Sequence, residues 1–185
     1  MRKNFGAKPY LYPQPVLIVA AYGDDGVPNA MNAAWGGMIE SNKVAMCLGP
    51  RHKTVKNILE TGAFTIGVGT TSTVILCDYV GIISGNDEPN KLEKAGFTVT
   101  KSEFVDAPII NELPMCLECK LISYNEENSQ LIGEIINVNA DETILTDEVI
   151  DANKLQAIIY DPVSHYYLKV GELVGHAFDD GKKLK

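Results

Sequence analysis

Residues 16–39 read VLIVAAYGDDGVPNAMNAAWGGMI, and the fold turns on how this stretch divides. Val16 to Tyr22 is an unbroken, β-branched apolar run of strand length. Gly23 to Gly26 is a turn signal, and Asn29 to Ile39 is a second extended segment, so the sequence predicts a β-hairpin. The second arm carries the chain's single tryptophan, Trp35, among Ala33, Ala34, Gly36 and Gly37. A core surrounds an indole with Leu, Ile and Val. These neighbours are too small to do so, and the question is what the ring faces.

Outward from the hairpin, Ser41 to Lys43 turns the chain into Val44 to Leu48, and Gly49-Pro50 stops that strand. With the turn centred on Ser41 and Asn42, cross-strand partners sum to about 83, which sets Trp35 opposite Leu48. The loop Gly49 to Thr54 then emerges beside Ala33 and Ala34. From Thr54 the period changes: Val55, Ile58 and Leu59 fall at helical spacing, with Thr54 as N-cap and Gly62 as the stop. Phe64 to Val68 is a strand again. Thr71 to Gly85 reads as a helix opened by Ser and Thr and closed by glycine, and Asn86 to Gly96 as a short polar helix beginning near Pro89. Met115 to Tyr124 and Gln130 to Ala140 flank the turn Asn125 to Ser129 and should pair antiparallel. His165 to Phe178 is aromatic and alternates only in part. With no internal repeat or dividing linker, residues 1–185 read as one domain, mainly β with helical insertions, a barrel or a sandwich.

A chain of 185 residues can bury a self-sufficient core without a metal or disulfide staple. The net charge of −8 opposes non-specific attraction to nucleic acid or to an anionic membrane, and neither is expected as a partner. Four scattered cysteines do not make a disulfide scaffold and fit a reducing cytoplasm. The run Val16 to Ala21 is too short for a transmembrane span, and no export signal is seen.

Chemistry concentrates near the hairpin. Small residues at 33, 34, 36 and 37 leave backbone groups open to a planar ligand that bulky side chains would block. Arg51, His52 and Lys53 converge on a helix N-terminus, where orphan N–H groups and the dipole favour a phosphate. A flat ring with a phosphate tail fits both ends. The ordinary alternatives are packing alanines, a solvated basic cap and a core tryptophan. In CLEC, the thiols of Cys116 and Cys119 point to opposite faces of a strand, and no second pair completes a zinc site. Ser164 and His165 lack the GxSxG elbow of a hydrolase.

In order along nearly the whole chain, PVLIVAAYGDDGVPNAMNAAWGG, RHKTVKNI, FTIGV, LECKL, the GEI of LIGEIINV and YYLKVGELVGHAF resemble the flavin reductase-like family and, within it, the flavoredoxin branch. The resemblance implies a split β-barrel that binds FMN, as a homodimer with the flavin near the subunit interface. It implies that Asn32, Ala33, Ala34 and Trp35 lie along the isoalloxazine and ribityl chain, and that Arg51, His52, Lys53 and Thr54 hold the phosphate. It implies that Lys91 reaches the phosphate region and that Tyr167 is an aromatic near the ring, with His165 and Tyr166 beside it. Relatives that consume NADH often carry Gly-Asp-His just before the GE strand, where this chain has Asn128, Ser129 and Gln130. The function expected is an FMN-dependent oxidoreductase or electron-transfer flavoprotein, with its chemistry on FMN and no catalytic side chain. Its electron donor would be a redox protein or a nicotinamide nucleotide. The alternatives are an NAD(P)H-dependent flavin reductase and a non-redox small-ligand module on the same barrel, heme or pyridoxamine phosphate being other ligands for the fold.

Overall fold

The computed structural model describes residues 1–185. In chain order the elements are β1 (Gln14–Pro15), β2 (Leu17–Tyr22), β3 (Pro28–Ala33), β4 (Gly36–Glu40), β5 (Lys43–Cys47), α1 (Lys53–Thr61), β6 (Ala63–Val68), α2 (Val74–Ile82) and α3 (Lys91–Ala95). They continue with β7 (Val99–Lys101), β8 (Pro108–Ile110), β9 (Met115–Asn125), β10 (Gln130–Ala140), β11 (Leu145–Thr146), β12 (Val149–Ile150), α4 (Ala152–Leu155), β13 (Ile158–Asp161) and β14 (Tyr166–Lys169). Seven strands form one antiparallel sheet in the order β3-β2-β6-β9-β10-β5-β4. β1, β13 and β14 make a separate three-stranded sheet.

The expected second arm, Asn29 to Ile39, is two strands. β3 pairs with β2, β4 pairs with β5, and the two lie at opposite edges of the seven-stranded sheet. Only Ala34 and Trp35 separate them, and three residue steps reach about 11 Å at most. The sheet must therefore curl until its edges nearly meet, which makes a split β-barrel with its slit at Ala34-Trp35. The register differs by one from the expected value. A bulge at Ile39 shifts the β4–β5 pairing, so Trp35 O accepts from Cys47 N at 2.8 Å rather than facing Leu48.

The continuous apolar run of β2 follows from burial on both faces. Val19 and Ala21 point into the barrel with Met31, Met46, Phe64, Ile66 and Leu131. Ile18 and Ala20 point outward, under Cys77 and Val80 of α2, Leu92 of α3 and Ile110 of β8. Helix α1 buries Val55 and Ile58 in the barrel core, and Gly62 ends it at φ 70° with its N–H on Ile58 O at 2.8 Å. Its N-cap is His52, not Thr54; Thr54 sits inside the first turn and is fully buried.

Helix α2 closes at Ile83 in extended backbone, two residues before the expected Gly85, and α3 starts at Lys91 rather than near Pro89. β9 and β10 pair as the sequence predicted, with two bulges. Burial pushes the Cys116 and Cys119 thiols each up to about 12, so neither ionises near neutral pH. At the C-terminus only Tyr166–Lys169 form a strand, and Leu173, Val174 and Phe178 beyond it are exposed. No helix is long and apolar enough to cross a membrane.

Candidate functional site

A cavity of about 450 Å³ opens where the slit of the barrel, the first turn of α1 and the last turn of α2 meet. This size falls in the range of about 300–1,000 Å³ common to cofactor sites. One wall is the end of β3 and the link after it: Asn32, Ala33, Ala34 and Trp35. Trp35 is 56 % exposed, so the indole stands at the rim and not in the core. The facing wall is Val80 to Gly85, the end of α2 and the loop that follows. The two walls pack closely, since a Cβ on Gly81 would lie 3.0 Å from Asn32 Cβ.

The anion-binding groups of the cavity come from two elements. His52, Lys53 and Thr54 open α1, where backbone N–H groups have no partner inside the helix. Lys91 reaches in from α3. The sequence placed it on a polar helix, yet it is 2 % exposed, with Nζ donating to Val80 O at 3.1 Å and Ile83 O at 2.9 Å. Burial lowers its pKa from 10.5 to about 8. His52 is also pushed down, first by burial and then by the charges of Lys91 and Arg51, which favours the neutral imidazole. The α2 carbonyls hold the ammonium in place, and one of its three donors stays free for a ligand.

Of the ten site residues expected from sequence, eight line this cavity: Asn32, Ala33, Ala34, Trp35, His52, Lys53, Thr54 and Lys91. Arg51 and Tyr167 do not. The Arg51 side chain is exposed, and its carbonyl accepts from Asn86 Nδ2 at 3.1 Å, which ties the cationic loop to the loop after α2. Tyr167 stands behind Asn32. Asn32 Nδ2 donates to Cys77 O at 3.1 Å and to the Tyr167 hydroxyl at 3.4 Å, and that hydroxyl donates to Asp78 Oδ1 at 2.8 Å. Burial, and then the bond to Asp78, push the Tyr167 pKa up, so the phenol stays a donor and fixes the Asn32 amide. Its cross-strand partner Tyr160 lines the cavity instead.

Sequence reasoning also missed Asn29 and the segment Ser84-Gly85, all on the cavity wall. A second asparagine, Asn29, on the same largely apolar strand as Asn32, was the available signal. A second cavity of about 300 Å³ shares Trp35 and Cys47 with the first and is otherwise lined by Ala45, Met46, Asn128 and Gln130.

The arrangement suits a planar ring along the small-residue wall and an anionic tail at the start of α1. A Cβ on Gly85 would come within 2.1 Å of Asn29 Oδ1, and larger side chains at 33 and 34 would enter the cavity. The donor set is chemically that of a phosphate site: a helix N-terminus, a hydroxyl and two lysines. A flat ring with a phosphate tail matches both halves.

Residues 10–158 match the flavin reductase like domain. Over 98 % of this chain and all of the other, the fold is similar to flavoredoxin of Desulfovibrio vulgaris (Miyazaki F), at 41 % identity and a TM-score of 0.93. It is also similar to an FMN-binding domain of a flavin reductases-like enzyme from Shewanella baltica, at 25 % identity and a TM-score of 0.80 over 88 % and 89 % of the two chains. An uncharacterized protein of Aquifex aeolicus is 28 % identical over 122 residues, 60 % of each chain. The match therefore spans less than two thirds of that relative's length.

Proposed function

Because this chain belongs to the flavin reductase-like family, we propose that it is an FMN-binding redox protein of the flavoredoxin type, passing electrons through the bound flavin. Family membership and the likeness to flavoredoxin support a flavin-binding redox role. The observation that carries the finer reading is the cavity itself: a wall of Asn32, Ala33, Ala34 and Trp35 leads to the helix N-terminus at His52, Lys53 and Thr54, with Lys91 behind it. That order of groups fits an isoalloxazine ring with a terminal phosphate. FMN would supply the redox chemistry. The protein would hold the ring between β3 and the end of α2, take the phosphate on α1, and keep a lysine cation in a partly dry pocket.

The same reading includes a homodimer. Leu173, Val174 and Phe178 are exposed on a segment that leaves β14, with Val174 at 100 % and Phe178 at 99 %. Apolar side chains so placed are stabilised by a second subunit. Light scattering should give about twice the 20.2 kDa of the chain; a mass of one chain at micromolar concentration would remove the dimer from the reading.

The primary test is the absorbance spectrum of the purified protein, followed by titration of the apoprotein with FMN, FAD and riboflavin. Flavin bands with FMN bound most tightly are expected. A protein that binds no flavin would return the cavity to the non-redox reading.

A further inference from the structure

Asn29 is the residue where three walls of the cavity meet. It lies in β3, is 7 % exposed, and its Nδ2 donates to Thr54 Oγ1 at 2.7 Å. Its Oδ1 occupies the space over Gly85, where a Cβ would sit 2.1 Å away. Asn29, Thr54 and Gly85 all line the cavity. The glycine thus gives the amide room to face Thr54 with its donor end.

A hydroxyl has one proton to give and lone pairs to receive. The amide of Asn29 fills a lone pair of Thr54 Oγ1, and no protein acceptor takes the hydroxyl's own proton. Near a helix start, a threonine hydroxyl ordinarily turns back to the carbonyl three or four residues earlier. Here those are Arg51 and Pro50, and neither carbonyl receives the Thr54 hydroxyl; the Arg51 carbonyl accepts from Asn86 instead. The amide therefore engages the hydroxyl as an acceptor and leaves its own proton without a protein partner, in a residue that lines the cavity.

We propose that Asn29 is a positioning residue that fixes the Thr54 hydroxyl as a hydrogen-bond donor to an anionic group of the ligand. The inference rests on the FMN reading and names the phosphate as that group. An amide suits the position because it carries no charge. A carboxylate of the same shape would capture the Thr54 proton and place a negative charge beside the phosphate.

The test is fluorescence titration of the full-length apoprotein with FMN and with riboflavin, which lacks the phosphate, in Asn29→Asp, Asn29→Ala, Thr54→Val and the Asn29→Ala/Thr54→Val double variant. A lost bond to a charged group corresponds to about a 10- to 150-fold change in affinity. Asn29→Asp should weaken FMN by about 100-fold or more and riboflavin by less than about 3-fold. In the double variant FMN should bind no worse than in Thr54→Val alone, because Asn29 acts through that hydroxyl. Should Asn29→Asp fail to fold, the Ala and Val cycle decides alone. Parallel losses of FMN and riboflavin, or additive losses in the double variant, would overturn the role of Asn29 while leaving the FMN reading intact. A wild-type protein that binds neither flavin overturns both.

Discussion

The Lys91 ammonium donates to the Ile83 carbonyl at 2.9 Å, so a cation from the start of α3 caps the C-terminal end of α2 inside the cavity. The contact places positive charge where the helix dipole is negative. It also keeps that charge out of bulk water, which lowers the Lys91 pKa to about 8.

The first prediction concerns pH. Without a bound anion, Lys91 is charged below about pH 8 and neutral above it. A phosphate stabilises the charged form, so the complex has the higher pKa and binding takes up a proton above pH 8. FMN affinity should fall as pH rises from 8 toward 10, by up to about 10-fold per unit, while riboflavin affinity stays flat. The phosphate ester loses its second proton near pH 6, so the phosphate's own charge does not change in this window, and the riboflavin series accounts for any ionisation of the shared ring. A flat FMN profile would show that Lys91 does not feel the phosphate.

The cationic loop divides its labour. Lys53 lines the cavity and Arg51 does not, so Lys53→Glu should weaken FMN by about 10-fold or more relative to riboflavin, whereas Arg51→Glu should change the ratio by less than about 3-fold. Titration of the two single variants reads this directly. Equal losses would mean that the Arg51 side chain swings inward when phosphate binds.

Trp35 answers the question its neighbours raise: the indole stands at the rim of the cavity, on the link between the two edge strands of the barrel. Because it is 56 % exposed, Trp35→Ala should cost well under the roughly 3–5 kcal/mol of a core tryptophan deletion. Bound flavin should also brighten, since a neighbouring electron-rich ring quenches it. Denaturant unfolding and the fluorescence yield of the complex check the two halves.

Packing at the crossing of β10 over the barrel interior is tight. A Cβ on Gly133 would lie 2.4 Å from Phe64 Cζ, and Phe64 is fully buried. Gly133→Ala should therefore destabilise by about 1–3 kcal/mol, whereas Gly37→Ala, with open space around its Cβ position, should stay within about 0.5 kcal/mol. Urea midpoints of the two variants would separate them.

These contrasts mark what the sequence made legible. The pairing of β9 with β10 was readable because a polar turn of five residues separates two long β-rich runs. The division of Asn29 to Ile39 was not, because nothing at Ala34-Trp35 breaks a strand locally. It is the closure of the barrel, a property of the whole sheet, that assigns β3 and β4 to opposite edges. The bulge at Ile39 was equally silent, and it moved the partner of Trp35 by one residue. The residue pattern put Lys91 on a short polar helix and only the family resemblance brought it to the phosphate region, because its burial rests on carbonyls at the end of α2 that the tertiary fold brings near. Tyr160 and Tyr167 are direct cross-strand partners in one hairpin, and nothing in their local sequence says that Tyr160 lines the cavity while Tyr167 bonds to Asn32 and Asp78 behind it.

The last prediction concerns the electron donor. Fast hydride transfer from NADH requires the nicotinamide held over the flavin ring while the rest of the dinucleotide is bound nearby, and much of the rate comes from that orientation. The space beside the proposed ring position is the cavity of about 300 Å³ lined by Trp35, Ala45, Met46, Cys47, Asn128 and Gln130. None of these side chains is cationic, so the cavity offers no charged partner for a pyrophosphate. By the family resemblance Gln130 falls where relatives that consume NADH often carry the histidine of Gly-Asp-His, and a neutral amide cannot replace a protonated imidazole there. An electron carrier needs only an approachable edge, and the exposed indole and small residues of the slit leave one open. The net charge of −8 would favour a basic redox protein at low ionic strength. The reconstituted protein should therefore be reduced readily by dithionite or a low-potential iron–sulfur protein, with a rate for the latter that falls as salt is added. NADH and NADPH should react sluggishly in stopped-flow measurements. Reduction by NADH at about 10 per second or faster, a rate typical of enzymes, would make the protein a true flavin reductase and end the carrier reading.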